Sequence, residues 1–289
     1  MKNELMIKIS IINWNTKKLL KECLDSVLAD TSSVPVEIEV IDNASTDGSA
    51  DMVKEKFPKV RLLKNPLNEG FAKAANLAIA TGSQKYNLIL NSDTRLEKGA
   101  VQTIYDFMEK NENVGASGPL LLNSDGSTQL SGRRFPSFKD ATVHAFIGSV
   151  IPDNKYSRRY QMADWERKST SKVDWVSGAA ICLRTDAARL IGGFDEGYFM
   201  YVEDMDICWR LHQKGFDVYL LPEARVVHHI GASSKLQSAK MVKEFQKSIY
   251  RFYVKQNQGT YKEHLGFLVA GGLFVRGSII IITNRLRKG

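Results

Sequence analysis

The chain has 289 residues, of which 43% are hydrophobic and 25% charged, an ordinary globular composition with room for one large domain or two small ones. Its three cysteines, Cys23, Cys182 and Cys208, are odd in number and show no CxxC or Cys/His finger spacing, which argues against a disulfide framework and for a reducing cytoplasm. The net charge of +8 is uneven: Lys235 to Gly289 holds 11 Lys plus Arg against 2 Asp plus Glu, so a nearly neutral body carries a basic tail.

The N-terminus, MKNELMIKISIIN, runs straight into a strand-like pattern, without an apolar region followed by a small-residue cleavage site, so no secretory leader is expected. Ile7 to Ile12, Val36 to Ile41, Val60 to Leu63 and Tyr86 to Leu90 read as strands. Helical spacing fills the intervals at Thr16 to Leu28, Gly48 to Phe57, Glu69 to Ala80 and Lys98 to Glu109. This alternation predicts an α/β fold with a mostly parallel sheet and helices on both faces. Ligands in such sheets bind beyond the C-terminal strand ends, where strand order reverses. The four strands are followed there by NWN (Asn13 to Asn15), DNASTDGS (Asp42 to Ser49), NPLNEGFA (Asn65 to Ala72) and NSDT (Asn91 to Thr94). Each loop alone is ordinary turn chemistry; their shared rim is the signal. Neither GxGxxG nor GxxxxGK[ST] is present, which removes the main support for dinucleotide and P-loop readings.

Val114 to Ser171 is less periodic and reads as loops over a scaffold, including SGRRFPSF (Ser131 to Phe138) and the basic-aromatic YSRRYQMADWERK (Tyr156 to Lys168). Trp175 to Arg184 (WVSGAAICLR) reads as a strand, IGGFDEGYF as a turn, Asp204 to Gly215 as a helix and FDVYLLP as a further strand. ARVVHHIGASS, Ala224 to Ser234, ends in a small-residue loop, and Lys240 to Lys255 is helical and amphipathic. Leu265 to Leu286 is apolar but carries Arg276 at its middle. A plain spanning segment avoids a central charge. A helix lying on an anionic membrane or packed on the body is expected instead, and apolar runs beside the basic residues favour lipid over nucleic acid.

The stretch YFMYVEDMDICWR, Tyr198 to Arg210, sets Glu203, Asp204 and Asp206 almost side by side. Crowded carboxylates repel and lose hydration when buried, so a metal, a cationic partner or a catalytic task should offset the cost. A solvated helix start is the plain alternative. Asp93 of NSD, at the sheet rim, is a candidate ligand for a divalent cation bridging the phosphates of a nucleotide.

Taken together, NWN, DNASTDGS, NEGFA, NSD, WVSGA, GGFDEGYFMYVEDMDICWR and VVHHIGASS resemble the inverting family 2 glycosyltransferases of GT-A fold, within them the rhamnosyltransferase-like branch, over Ile7 to Ser234. The resemblance implies a Rossmann-like GT-A domain at 1–234, with a nucleotide-sugar half (1–112) and an acceptor half (113–234), followed by a helical membrane-associating extension at 235–289. It implies donor contacts from Asn13, Trp14, Asn15, Asp42, Asn43, Asn68, Gly70, Phe71, Asn91 and Ser92, with Trp14 near the base. Asp93 would bind a metal, Mg²⁺ or Mn²⁺, together with His228 or its rival His229; the family's DxD begins here with Asn91. Asp204 would be the catalytic base, helped by Glu203, while Trp175, Gly178, Tyr201 and Asp206 would serve the acceptor. The implied reaction transfers a sugar, L-rhamnose from dTDP-L-rhamnose or a sugar from a UDP donor, to a hydroxyl of a glycan precursor. The implied acceptor is lipid-linked, at the cytoplasmic face of the membrane. A nucleotidyltransferase would want a Gly- and Arg-rich loop after the first strand, and a non-catalytic glycan or membrane module would not need both Asp93 and Asp204. Oligomeric state is not legible.

Overall fold

The computed structural model describes residues 6–31, 34–136, 155–229 and 238–286. In chain order these form β1 (Ile7–Asn13), α1 (Lys17–Asp30), β2 (Val36–Asp42), α2 (Ser49–Lys56), β3 (Arg61–Lys64), α3 (Phe71–Thr81) and β4 (Tyr86–Asn91). There follow β5 (Thr94–Leu96), α4 (Ala100–Lys110), β6 (Val114–Leu122), β7 (Gly132–Arg133), α5 (Lys155–Gln161), β8 (Ser171–Val173), β9 (Trp175–Val176) and β10 (Ala180–Arg184). The chain continues with α6 (Thr185–Leu190), α7 (Glu203–Gln213), β11 (Asp217–His228), α8 (Ala239–Asn257), a 3₁₀ turn (Tyr261–Leu265) and α9 (Gly266–Leu286).

The main sheet has the order β3-β2-β1-β4-β10-β6-β11-β5, with β8 also on β11, and β7 pairs with β9 apart from it. The strands of the first half pair in parallel, and β10 enters antiparallel between β4 and β6. Alternate residues face opposite layers, as the period of two requires. Ile7, Ile9 and Ile11 pack with Leu20, Leu24 and Val27 of α1; Ile12, Ile41 and Ile89 pack with Ala74, Ala75 and Ala78 of α3. Strand order reverses between β1 and its neighbours β2 and β4, which opens a crevice at their C-terminal ends.

Three stretches differ from the sequence reading. Val114 to Leu122 is a fully buried strand rather than a loop. Gly115, Ser117, Gly118 and Pro119 hide its pattern, and packing explains both glycines: a Cβ at Gly115 would lie 2.8 Å from Phe216 Cβ, and one at Gly118 2.8 Å from Val176 Cβ. Trp175 to Arg184 is two strands broken at Ser177 to Ala179, because its two ends pair with different sheets. The strand begun by FDVYLLP continues to His228 across an irregularity between Leu221 and Arg225, where Pro222 cannot donate to the ladder. The boundary at 234/235 and the small-residue loop before it fall outside the described residues, as do Ser137 and Phe138 of SGRRFPSF.

Candidate active site

Strand register assembles the site. Asn13 is opposite Asp42 and Ile12 opposite Asn91, so the loops after β1, β2 and β4 leave the sheet at one rim. Asn13 and Asp42, both buried, are joined by the Asn13 amide donating to Asp42 Oδ1 at 2.8 Å. Asp42 Oδ2 accepts from the Ser45 backbone N–H at 3.0 Å, and the Asn15 side chain accepts from Thr46 N–H at 2.7 Å. Trp14, by contrast, is 42% exposed and free to meet a flat ring. Asn43 donates to Asn68 Oδ1 and Gly70 O, which fixes the third loop against the second. At Gly70 φ is +94° and a Cβ would fall 2.2 Å from Phe199 O, so no side chain fits; the neighbouring Phe71 N–H donates to that same carbonyl at 2.9 Å. Ser92 is buried, its hydroxyl 2.6 Å from that of Thr16.

The acidic pair joins this rim through two backbone hydrogen bonds. Asn91 N–H donates to Ala179 O at 2.9 Å, and Gly178 N–H donates to Asp204 Oδ2 at 2.9 Å. The turn that interrupts Trp175 to Arg184 therefore links the NSD loop to the start of α7. A Cβ at Gly178 would approach Asp204 Cβ to 3.2 Å, so a small residue is favoured there.

Glu203 and Asp204 occupy different environments. Asp204 accepts from two backbone N–H groups, Gly178 and Met205, the latter at 2.8 Å. Burial pushes its carboxyl pKa up, opposed by those hydrogen bonds and by the nearby Arg133 guanidinium. Glu203 is 6% exposed, and its Oε2 has no hydrogen-bond partner among the described residues. Burial, the Asp204 charge and the Asp206 charge push Glu203 well above the usual carboxylate range. The two environments are unequal: the charged form of Asp204 is supported by two backbone N–H groups and Arg133, and that of Glu203 by no side-chain partner among the described residues. The backbone leading to them is strained, since Tyr201 and Val202 both have φ of 70° and Val202 is β-branched.

Asp93 is 2% exposed and lies 3.5 Å from His228 Nε2. Gln129 donates its amide N–H to His228 O at 2.8 Å and to Asn123 Oδ1 at 2.9 Å. Its Oε1 is then the acceptor for His228 Nδ1–H at 3.1 Å. In the neutral imidazole this leaves the Nε2 lone pair on the side of the Asp93 carboxylate, where one cation could bind both. His229 instead turns ring Nδ1 to the Ser124 hydroxyl at 2.8 Å, while its backbone N–H donates to the Asp93 backbone carbonyl at 2.9 Å. The described residues hold no cluster of three His, Cys, Asp or Glu side chains of metal-site geometry. Two protein ligands nonetheless suit a cation that completes its shell with diphosphate oxygens and water.

The expected acceptor residues divide. Gly178 and Tyr201 border the pair, with the Tyr201 ring edge-on to Phe245 of α8 at 5.5 Å. Trp175 is buried, donates to Arg134 O at 3.0 Å and is covered by the Arg133 guanidinium 5.1 Å from its ring centre. Asp206 is 0% exposed and locked to Arg210, Lys255 and Tyr198, so it does not face the cleft. Its acidity was legible in sequence, but partners 4 and 49 residues away decide where it points. Arg133 and Gln129 were missed. The RR of SGRRF was the available signal for Arg133; nothing local marks Gln129.

The glycosyl transferase family 2 model matches residues 9–181. Over 265 residues the chain is 31% identical to the N-acetylglucosaminyl-diphospho-decaprenol L-rhamnosyltransferase of Mycobacterium tuberculosis, covering 88% of this chain and 86% of that protein. It is 27% identical over 197 residues to rhamnosyltransferase WbbL of Escherichia coli, 65% of this chain and 71% of that one. Among solved structures, Staphylococcus aureus TarS 1-349 superposes with a TM-score of 0.59 at 14% identity, covering 94% of this chain and 71% of that one. The Pyrobaculum calidifontis mannosyltransferase PcManGT, in complex with GDP-Man and Mn²⁺, gives 0.60 at 16% identity, with coverages of 97% and 73%.

Proposed function

The chain belongs to glycosyl transferase family 2, and from that premise we propose that this glycosyltransferase moves L-rhamnose from dTDP-L-rhamnose to a hydroxyl of a lipid-linked glycan precursor, inverting the anomeric centre. The relatives named for rhamnose transfer, one of them acting by its name on a diphospho-decaprenol, support the donor and the acceptor class. The observation that carries the reading is the backbone link Asn91–Ala179 and Gly178–Asp204, which sets the Asp204 carboxylate beside the NSD loop on one rim.

In this reading Asn13, Asn15, Asp42 and Asn43 hold the nucleoside with Trp14 against the base, and Asn68, Gly70, Phe71, Asn91 and Ser92 shape the donor side. Asp93 and His228 hold a divalent cation, Mg²⁺ or Mn²⁺, which when bound supplies positive charge to the leaving diphosphate. The acceptor oxygen attacks the anomeric carbon as the bond from that carbon to the phosphate oxygen breaks, and Asp204 takes the hydroxyl proton. Gly178 N–H and Arg133 favour the ionised form of Asp204 that this step needs, while neutral Glu203 adds no second charge. Titration calorimetry with dTDP and with UDP tests the donor: tighter binding of dTDP is expected, and a preference for UDP would replace rhamnose by a UDP-sugar while leaving the reaction type in place.

We propose further that α9 rests on the anionic cytoplasmic face of the membrane. It is the one described helix long and apolar enough to cross a bilayer, and only 17% of its apolar window is buried. Gly266, Leu273 and Gly277 form a thin buried stripe, while Phe267 and Phe274 on the flank beside it are 71% and 75% exposed. Arg276 is taken up by α8, donating to Gln246 and lying 5.7 Å from the Phe245 ring centre. Its charge therefore stays on the protein side, as suits a helix lying in the interface. Wild-type chain is expected to float with anionic liposomes, more weakly at high salt, and Phe267→Glu combined with Phe274→Glu should abolish flotation. Equal flotation of both proteins would remove α9 from the membrane contact.

A further inference from the structure

Helix α8 touches the segment that delivers the acidic pair at each end and in the middle. We infer that Lys255 is a positioning residue for sugar transfer, and that 239–257 is part of the catalytic unit rather than of a separable tail. The inference rests on the reading of Asp204 as the base.

The segment runs from Asp195 to Asp206. Lys255 Nζ lies 2.6 Å from Asp195 Oδ2 and 2.6 Å from Asp206 Oδ1, so one ammonium ties its two ends together. Arg251 grips Asp195 through Nε at 2.9 Å and Nη2 at 2.7 Å. Although burial pushes the Asp195 carboxyl pKa up, Arg251 and Lys255 hold it below the usual carboxylate range. Arg251 lies so close over the backbone that a Cβ at Gly197 would fall 2.2 Å from its Cζ. In the middle, Ser248 donates to Met200 O at 3.0 Å and Phe245 supports the Tyr201 ring. On the opposite side Phe199 O accepts from Phe71 N–H of the donor loop.

Between these anchors lie Tyr201 and Val202, both at φ 70°. Left-handed backbone at a β-branched residue persists only where its surroundings over-determine it. Asp206 N–H donates to Val202 O at 2.8 Å, closing the first turn of α7 on this strained residue. Fixing Asp206 therefore fixes where Asp204, two residues earlier on that turn, emerges. A shift of about 1 Å in a reacting group can cost about 10²-fold in rate.

Lys255 is a clean place to cut the link, because neither carboxylate is orphaned: Asp195 keeps Arg251, and Asp206 keeps Arg210 and Tyr198. The test uses the full chain with Lys255→Met, Lys255→Arg and, in parallel, Asp204→Asn. The readouts are dTDP release from dTDP-L-rhamnose with N-acetylglucosaminyl-diphospho-decaprenol as probe acceptor, dTDP affinity, thermal unfolding, and amide hydrogen exchange over 198–206. Lys255→Met is expected to speed exchange in 198–206 and to lower kcat by about 10²-fold, with dTDP affinity and unfolding temperature close to wild type; Lys255→Arg should recover most of the rate. Unchanged exchange in 198–206, or a rate loss that merely follows a loss of folded protein, would overturn the inference. So would normal turnover by Lys255→Met beside an inactive Asp204→Asn. Full activity in Asp204→Asn would instead remove the base assignment, and the exchange measurement would still decide whether Lys255 orders the segment.

Discussion

Asp204→Asn is expected to lower kcat by about 10² to 10⁴-fold, the range for a positioned general base, while dTDP affinity stays near wild type. Asn keeps the size of the side chain, but its single carbonyl oxygen can accept from only one of the Gly178 and Met205 N–H groups, so thermal unfolding of the variant is measured alongside to separate the missing proton acceptor from a loosened loop. A base works only when ionised. Because burial raises the Asp204 pKa, the acid limb of the kcat profile should lie at higher pH than an ordinary aspartate would give, with activity falling as pH drops through it. Glu203→Gln should leave that limb in place, since the neutral amide replaces a carboxyl that burial and the neighbouring Asp204 and Asp206 charges push well above the usual range. Stability follows from the same shifts. The folded chain keeps protons on this pair at pH values where the unfolded chain has lost them, so the pair's contribution to stability declines as pH rises from the ordinary carboxylate value to the raised folded one. Glu203→Gln should flatten that decline in thermal unfolding followed against pH. Wild-type turnover by Asp204→Asn, or an acid limb lost in Glu203→Gln alone, would move the base to Glu203.

Asp93→Ala is expected to cut kcat/KM by at least about 10²-fold, as the loss of several kcal/mol of charge stabilisation at a diphosphate implies. EDTA on wild-type enzyme should reproduce the effect, and Mn²⁺ or Mg²⁺ should reverse it in wild type but not in the variant. Binding supplies an independent check: dTDP with Mn²⁺ should raise the unfolding temperature of wild type, and that rise should vanish in Asp93→Ala. His228→Ala should weaken the same response, and His229→Ala should leave it intact, because the His229 ring is turned to Ser124 rather than to Asp93. Activity that survives both EDTA and Asp93→Ala would exclude a metal at this pair.

The two assignments differ in how each became legible. Asp93 follows a short, mostly apolar run, Tyr86 to Leu90, which reads as a buried strand and brings the residues after it to the rim. Asp204 announced itself only as one of three crowded carboxylates. The choice among the three required surroundings: N–H donors for Asp204, no partner for Glu203 Oε2, and cations for Asp206. Those partners are contributed by Gly178, Met205, Arg210 and Lys255, and Gly178 and Lys255 are distant in the chain.

Local pattern by itself determined the α/β alternation, the four polar strand ends and the apolar, basic character of the C-terminus, because periodicity and turn chemistry act between near neighbours. The tertiary structure decided the rest. It made a central strand of VGASGPLLL, whose glycines are set by Phe216 and Val176 pressing on the sheet, and it split Trp175 to Arg184 between two sheets. It turned His228 rather than His229 to Asp93 through Gln129, 99 residues away in sequence, and tied α8 to the segment before the acidic pair. These outcomes depend on which atoms meet across the sheet and between layers, and a residue's type and immediate neighbours leave such contacts undetermined.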